Sequence, residues 1–231
     1  MSLKIAILAS GSGTNAQVIF EAVQQKKLDA QICLVLANRP DAKVLERAKN
    51  FGITHCLLDH TLFPSREEYD KKVVETIKAH GADCIVLAGY MRMVTPYFLA
   101  SFPQRVINIH PAVLPSFPGV HGARDAVGYG VKFSGCTVHF VSEEMDAGPI
   151  IIQAVTPCLQ SDTEESLQNR IHCLEHKIYV QALQWLAEER LEIIGHTVHL
   201  KGMDRQKANC VDVESGGLSM NALIYPPLER E

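Results

Sequence analysis

The stretch Lys4-Ile5-Ala6-Ile7-Leu8-Ala9-Ser10-Gly11-Ser12-Gly13-Thr14-Asn15-Ala16 decides the fold. Ile5 to Ala9 is an unbroken apolar run, the signature of a strand covered on both faces. Thr14 or Asn15 then opens a helix predicted to run to about Lys26. A buried strand, a glycine loop and a helix make the opening unit of a parallel α/β sheet. Residues Gly11 to Ala16 also fit G-x-G-x-x-A. In that pattern the glycines let the backbone approach an anion and the helix N-terminus supplies unpaired N–H groups.

The alternation continues down the chain. Gln31 to Ala37 reads as a second buried strand, stopped by Asn38-Arg39-Pro40. Asp41 is expected to cap a helix to about Phe51, which Gly52 closes. Ile53 to Leu58 is a third strand. Ser65 and Glu68 have the spacing of a capping box for a helix to about His80. Cys84 to Ala88 is a fourth strand, a short helix runs from Pro96 to Ala100, and the next strand ends at His110. The implied fold is an open, mostly parallel, doubly wound (Rossmann-like) α/β sheet with helices on both faces.

The rhythm changes after Pro111. Residues 111–122 are rich in Pro and Gly and read as a loop, and Ala123 to Gly130 as a short helix. Gly135 to Val141 and Ile150 to Val155 are strands flanking the turn Asp146-Ala147-Gly148-Pro149. Thr163 to Arg190 carries the longest helical pattern, and Leu191 to Leu200 suits one or two closing strands. Residues 1–200 are expected to form a single domain. Residues 201–231, polar and containing glycine, are expected to be a poorly packed tail or a crossing arm.

Bulk properties exclude several classes. Of 231 residues, 47% are hydrophobic and 21% charged, which supports a proper core. A net charge of −4 opposes a general nucleic-acid binder, whose footprint is basic. No uncharged apolar run approaches the roughly 18 residues of a membrane helix. Gly11 and Gly13 interrupt the N-terminal apolar run before a secretory core develops. The seven cysteines (33, 56, 84, 136, 158, 173 and 210) are scattered, odd in number and free of C-x-x-C pairs. They read as reduced thiols of a cytosolic protein, with no zinc-ligand spacing and so no metal expected.

The occupant of the glycine loop stays open at this level. A nicotinamide dinucleotide calls for an acidic residue at the end of the second strand, where Leu36-Ala37-Asn38-Arg39 has none. Arg39 suits a 2′-phosphate, so an NADP-dependent reductase is one reading. A single phosphate monoester on a small substrate is another, and a tight turn with no ligand is a third.

Chemistry concentrates at Asn108-Ile109-His110-Pro111. Strand side chains alternate, so Asn108 and His110 project from the same side, about 7 Å apart along the backbone. Pro111 ends the strand, which puts an amide donor and an imidazole at its carboxyl end, where open α/β sheets keep their ligands. One group can stabilise an oxyanion and the other can move a proton. Asp146, in the turn before Gly148-Pro149, is either a plain turn residue or the best candidate for a carboxylate that orients His110 and favours its imidazolium form. His121 lies in the loop close to this site, whereas mid-strand His139 reads as a structural residue.

Three other groups have mixed readings. His172, Glu175 and His176 share one helix face, solvated by default, although Glu175 suits a sugar hydroxyl. Arg66 is a cap-region charge or a partner for a ligand carboxylate. Met91-Arg92-Met93-Val94 is core packing or an apolar slot for a flat heterocycle.

Several motifs recur in one order over roughly residues 3–200: Gly11-Ser12-Gly13-Thr14-Asn15, Ser65-Arg66-Glu67, Ala88-Gly89-Tyr90-Met91-Arg92-Met93, Asn108-Ile109-His110-Pro111 with Leu114-Pro115 and Phe117-Pro118-Gly119, Asp146-Ala147-Gly148-Pro149, and Glu175-His176. In these the chain resembles the phosphoribosylglycinamide formyltransferases, folate-dependent enzymes of purine synthesis. The resemblance implies 10-formyltetrahydrofolate as co-substrate, glycinamide ribonucleotide as acceptor, and no metal. Asn108, His110 and Asp146 would be the catalytic trio. Gly13, Thr14 and Asn15 would cradle the phosphate in the N-terminal half. Glu175, in the segment with His172, Cys173 and Leu174, would bind the ribose. Arg66 would meet the folate's glutamate tail. Met91, Arg92, Met93, Val94 and Asn108, with the loop Ser142, Glu143, Glu144, Met145 and Asp146, would hold the pterin.

The resemblance further implies a cytoplasmic monomer or homodimer with small-molecule partners, and neither nucleic acid nor membrane. A methionyl-tRNA formyltransferase-like enzyme shares the Asn-x-His pattern but would need an added RNA-binding domain and a basic surface. Two departures stand out. Val113 replaces a more usual leucine, and the segment after residue 201 is longer than the resemblance accounts for.

Overall fold

The computed structural model describes residues 2–203, 209–215 and 218–229. The chain is an α/β protein whose sheet is mostly parallel and flanked by helices. It forms two compact units, Met1–Asn108 with Phe140–Glu143, and Ile109–His139 with Glu144–Glu231.

Unit one contains β1 (Leu3–Ala9), α1 (Thr14–Gln24), β2 (Ala30–Ala37), α2 (Val44–Asn50), β3 (His55–Leu57), α3 (Arg66–Ala79), β4 (Cys84–Leu87), α4 (Pro96–Ser101) and the start of β5 (Val106–His110). Its ladders are all parallel, in the order β3-β2-β1-β4-β5. Every residue of β1 except Lys4 is buried, as the apolar run requires. On one face Leu8, Leu36, Ile85 and Val106 pack against Tyr69, Val73, Ile77 and Phe98 from α3 and α4. The register pairs Ala9 with Ala37 and Leu8 with Leu87, so the loops after β1, β2 and β4 leave from one edge. Ser65 caps α3 as expected, its hydroxyl accepting the Glu68 N–H at 3.1 Å.

One boundary differs from expectation. Asp41 does not cap α2, which begins two residues later behind Lys43 with no side-chain cap. The Val44 N–H instead donates to the Gly11 carbonyl at 3.2 Å. A tertiary bond to the glycine loop replaces the local cap and fixes where the helix starts.

Unit two holds the end of β5, then α5 (Gly122–Tyr129), β6 (Phe133–Phe140) except for its last residue, β7 (Ile150–Pro157), α6 (Glu164–Ala187), a separate hairpin β8 (Leu191–Ile194) and β9 (Thr197–Leu200), and β10 (Asn209–Ser215) and β11 (Leu218–Tyr225). Strands β6, β7, β11 and β10 pair antiparallel in that order. Ile171, Leu174, Ile178, Ala182 and Trp185 of α6 are fully buried. Thr163 and Ser166 close a reciprocal capping box at its start. Gly135 is obligatory on β6, because a Cβ there would stand 1.8 Å from the Ala154 carbonyl oxygen.

The C-terminal segment departs most from the sequence reading. Among its described residues, β11 joins β7, and Val213, Ala222 and Ile224 are buried. Beyond β11, the Arg190 guanidinium forks onto both Glu229 carboxylate oxygens at 2.5 and 2.7 Å. The Glu229 N–H donates to Gln181 Oε1 at 2.9 Å. Where a poorly packed tail or a crossing arm was expected, the described residues form two paired strands that extend the sheet from β7. Its alternate apolar positions, Val211 and Val213 and then Ala222 and Ile224, carry a strand period that the polar composition obscured.

Candidate active site

In unit two, His110 ends β5 and is only 3% exposed. Its Nδ1 lies 3.5 Å from Asp146 Oδ2. Its Nε2 lies 2.8 Å from the Phe117 carbonyl oxygen. A carbonyl only accepts, so Nε2 carries a hydrogen toward it. The other ring nitrogen faces the Asp146 carboxylate, so the ring is held between two acceptors.

Asp146 is held from three sides. Its Oδ2 accepts the Gly119 N–H at 2.7 Å, and its Oδ1 lies 3.9 Å from His139 Nε2. Its backbone is left-handed at φ 51°, a conformation that Asp tolerates better than most residues. Phe117 at φ 53° and Gly119 at φ 102° are also left-handed. Non-glycine residues in that region cost energy and persist where the surroundings enforce them. His139, read from sequence as structural, is buried beside the carboxylate. Its placement mid-strand on β6 gave no sign of this.

The loop after Pro111 hangs on one buried hydroxyl, also missed from sequence. Thr137 Oγ1 donates to the Ala112 carbonyl at 2.8 Å and accepts from the Leu114 N–H and Gln153 Nε2, both at 3.0 Å. One donation and two acceptances saturate a hydroxyl. The Gln153 amide also donates to the Leu114 carbonyl at 2.9 Å.

On α6 of the same unit, Glu175 is 3% exposed, so the face is not simply solvated. His172 Nε2 lies 3.9 Å from Glu175 Oε2 and 2.9 Å from Gln168 Nε2, and the His172 ring stacks parallel on His176. Leu174 is wholly inside the core, and the Cys173 thiol turns to the Asn169 carbonyl.

Unit one carries the other predicted groups. Gly13, at φ 72°, precedes α1 and provides no side-chain cap. The first-turn N–H groups of Thr14 and Asn15 therefore lack a capping side chain from that position. Asn38 is buried just after β2, and its carbonyl lies 2.8 Å from His60 Nδ1. Arg66 is the exposed first residue of α3.

The segment 88–95 is fixed at both ends. The Met91 N–H donates to Ser10 Oγ at 2.8 Å and the Thr95 N–H to Asp70 Oδ2 at 2.7 Å. Burial pushes the Asp70 carboxyl above its ordinary range, against the lowering pull of those Thr95 bonds and of Arg92. The Arg92 guanidinium lies over the Tyr69 ring at 4.8 Å, and Val94 is buried. Met91 and Met93 are 54% and 41% exposed and so present two thioethers outward. Ser142 and Glu143 belong to unit one, and Glu144 and Met145 to unit two.

Comparison with known proteins identifies the family. Residues 3–183 match the family model described as formyl transferase. The chain belongs to the formyl transferase family. Among proteins similar to this formyl transferase, the phosphoribosylglycinamide formyltransferase of Escherichia coli K12 is 38% identical over 200 residues, covering 87% of this chain and 94% of that one. The human trifunctional purine biosynthetic protein adenosine-3 is 35% identical over 190 residues, 82% of this chain but 19% of that protein. Among solved structures, glycinamide ribonucleotide transformylase 1 from Symbiobacterium toebii superposes with a TM-score of 0.85 at 44% identity, covering 86% and 94% of the two chains. The phosphoribosylglycinamide formyltransferase of Coxiella burnetii gives 0.83 at 40% identity, covering 87% and 95%.

Proposed function

We propose that this formyl transferase moves the formyl group of 10-formyltetrahydrofolate to the amine of glycinamide ribonucleotide, a step of purine biosynthesis. The observation carrying the reading is the contact of buried His110 with partly buried Asp146 at 3.5 Å, in a chain that covers 94% of the similar Escherichia coli enzyme. The amine attacks the formyl carbon and a tetrahedral intermediate forms. The Asn108 amide donates to its oxyanion, and so does the protonated His110 ring, whose Nε2–H leaves the Phe117 carbonyl for the substrate while Nδ1–H stays on Asp146. Asp146 holds that ring in place and organises a water that carries the proton from the amine to the departing N10 of the folate. Transfer is direct, so both substrates are bound at once.

The remaining roles follow the same reading. Gly13, Thr14 and Asn15 receive the phosphate on the N-terminal N–H groups of α1. Glu175, supported by His172 and its neighbours Cys173 and Leu174, receives the ribose. The exposed thioethers of Met91 and Met93, with Arg92, Val94, Asn108 and residues 142–146, receive the pterin. Arg66 meets the glutamate tail. The enzyme works in the cytoplasm as a monomer or homodimer on small molecules alone.

The test is absorbance of the folate product with and without glycinamide ribonucleotide. Wild type forms product only with the acceptor present. His110→Ala lowers kcat by about 10²–10³-fold, the usual cost of losing an oxyanion donor or a positioned acid. Wild-type turnover in that variant ends the assignment.

A further inference from the structure

Arg47 has no part in the reaction described above, yet it reaches from α2 onto the glycine loop. Its Nε donates to the Ser12 carbonyl at 2.7 Å, and its Nη1 donates to Gln17 Oε1 on the second turn of α1. Gln17 is itself oriented, because its Nε2 donates to Glu21 Oε1 at 2.8 Å. The chain Arg47–Gln17–Glu21 therefore runs from cation to anion through one amide whose two ends are both assigned. Two further contacts tie α2 to the same loop. The Val44 N–H donates to the Gly11 carbonyl at 3.2 Å, and a Cβ on Gly13 would stand 2.6 Å from the Val44 side chain.

The consequence follows from peptide planarity. In a trans peptide the C=O and the next N–H point in opposite directions. Drawing the Ser12 carbonyl toward the Arg47 guanidinium aims the Gly13 N–H away from α2. That N–H is the first donor of the run that continues into Thr14 and Asn15 at the start of α1. A planar guanidinium can hold a carbonyl and an amide oxygen together in fixed geometry, and a lysine ammonium can reach only one of them in the same orientation. Gly13 has no Cβ to collide with Val44, so the loop can lie close against α2.

We infer that Arg47 is a positioning residue for the phosphate end of the acceptor: it sets the orientation of the Gly13 N–H and the charge behind it, and touches no reacting atom. This rests on the phosphate assignment made under the proposed function. The role is specific to one end of one substrate, which separates it from a general structural prop.

The test is steady-state kinetics on Arg47→Met, which keeps much of the apolar stem, and on Arg47→Lys, which keeps the charge without the fork. Arg47→Met is expected to raise KM for glycinamide ribonucleotide about tenfold, the scale of a charge-assisted hydrogen bond. Its kcat and its KM for 10-formyltetrahydrofolate stay within about twofold of wild type. Arg47→Lys recovers part of the loss. With the phosphate-free ribonucleoside as acceptor, measured with enzyme in excess, wild type and Arg47→Met run at the same rate. Should Arg47→Met not fold, Gln17→Met removes the amide that steadies the fork and gives a smaller rise of the same selectivity, about threefold. An unchanged KM for the ribonucleotide, or equal losses on nucleotide and nucleoside, overturns the inference and leaves the assigned reaction standing. Wild type inactive on the ribonucleotide overturns both.

Discussion

Thr137→Val should be far more damaging than its small change in shape suggests. The substitution is nearly isosteric and keeps the β-branch suited to a strand. It deletes a hydroxyl that makes three hydrogen bonds at 2.8, 3.0 and 3.0 Å at a fully buried position. At about 1 kcal/mol net per bond the loss is about 3 kcal/mol. The Ala112 carbonyl and the Leu114 N–H are then left facing a methyl group, and each stranded buried group costs about 1 kcal/mol or more beyond the bond itself. Gln153 softens this, because it keeps its bond to the Leu114 carbonyl.

The expected total is about 3–5 kcal/mol, a large part of the roughly 5–15 kcal/mol that holds a domain folded. Thr137→Ser is the control. It keeps all three bonds, drops one methyl group and should cost about 1 kcal/mol. Urea unfolding followed by Trp185 fluorescence reads the effect in the same unit, since the chain's single tryptophan is fully buried on α6. The Thr137→Val midpoint should fall by about 1–2 M relative to Thr137→Ser, for a slope near 2–3 kcal/mol/M. Equal midpoints for the two variants would refute the claim that this hydroxyl anchors the loop.

Three further predictions concern the scaffold. Asp162 accepts from the Arg170 guanidinium, the Leu159 N–H and the Ser166 hydroxyl, and both ion-pair side chains are buried. Burial pushes its carboxyl up, but these donors outweigh burial and hold it below the ordinary range. A depressed carboxyl contributes stability that is complete above the unfolded-state value near 4 and is lost as pH falls through the lower folded value. The melting temperature should therefore fall more steeply with decreasing pH below about 4 in wild type than in Asp162→Asn, which will also be less stable at pH 7. Separately, Gly135→Ala should fail to fold or lose more than about 4 kcal/mol, because its Cβ meets the Ala154 carbonyl. Gly128→Ala on α5, where nothing lies within 4 Å, should gain about 0.5–1 kcal/mol from helix propensity in the same urea assay.

Much of the fold was legible because local chemistry and tertiary context agree. The apolar runs at Ile5, Gln31 and Cys84 are strands, Ser65 caps α3, and the long pattern after Thr163 is α6. The failures lie where they part. Asp41 is a good cap by composition, but α2 starts where the Gly11 carbonyl meets Val44. The C-terminal strands are diluted by polar residues, and β11 finds its partner in β7 about 70 positions earlier. Thr137 and Gln153 are unremarkable in sequence, since nothing local marks a hydroxyl as a hub.

The chain's order of residues was enough to settle its secondary-structure rhythm, its parallel α/β character and the presence of Asn108 and His110 on one strand, because alternation and capping are properties of neighbours. Tertiary structure alone decided that Asp146 reaches His110 at 3.5 Å, that His139 stands on the carboxylate's other oxygen, and that Arg47 grips Ser12 from 35 positions away. Those contacts join segments whose separation leaves no periodic trace, and only the folded backbone brings them within hydrogen-bonding range.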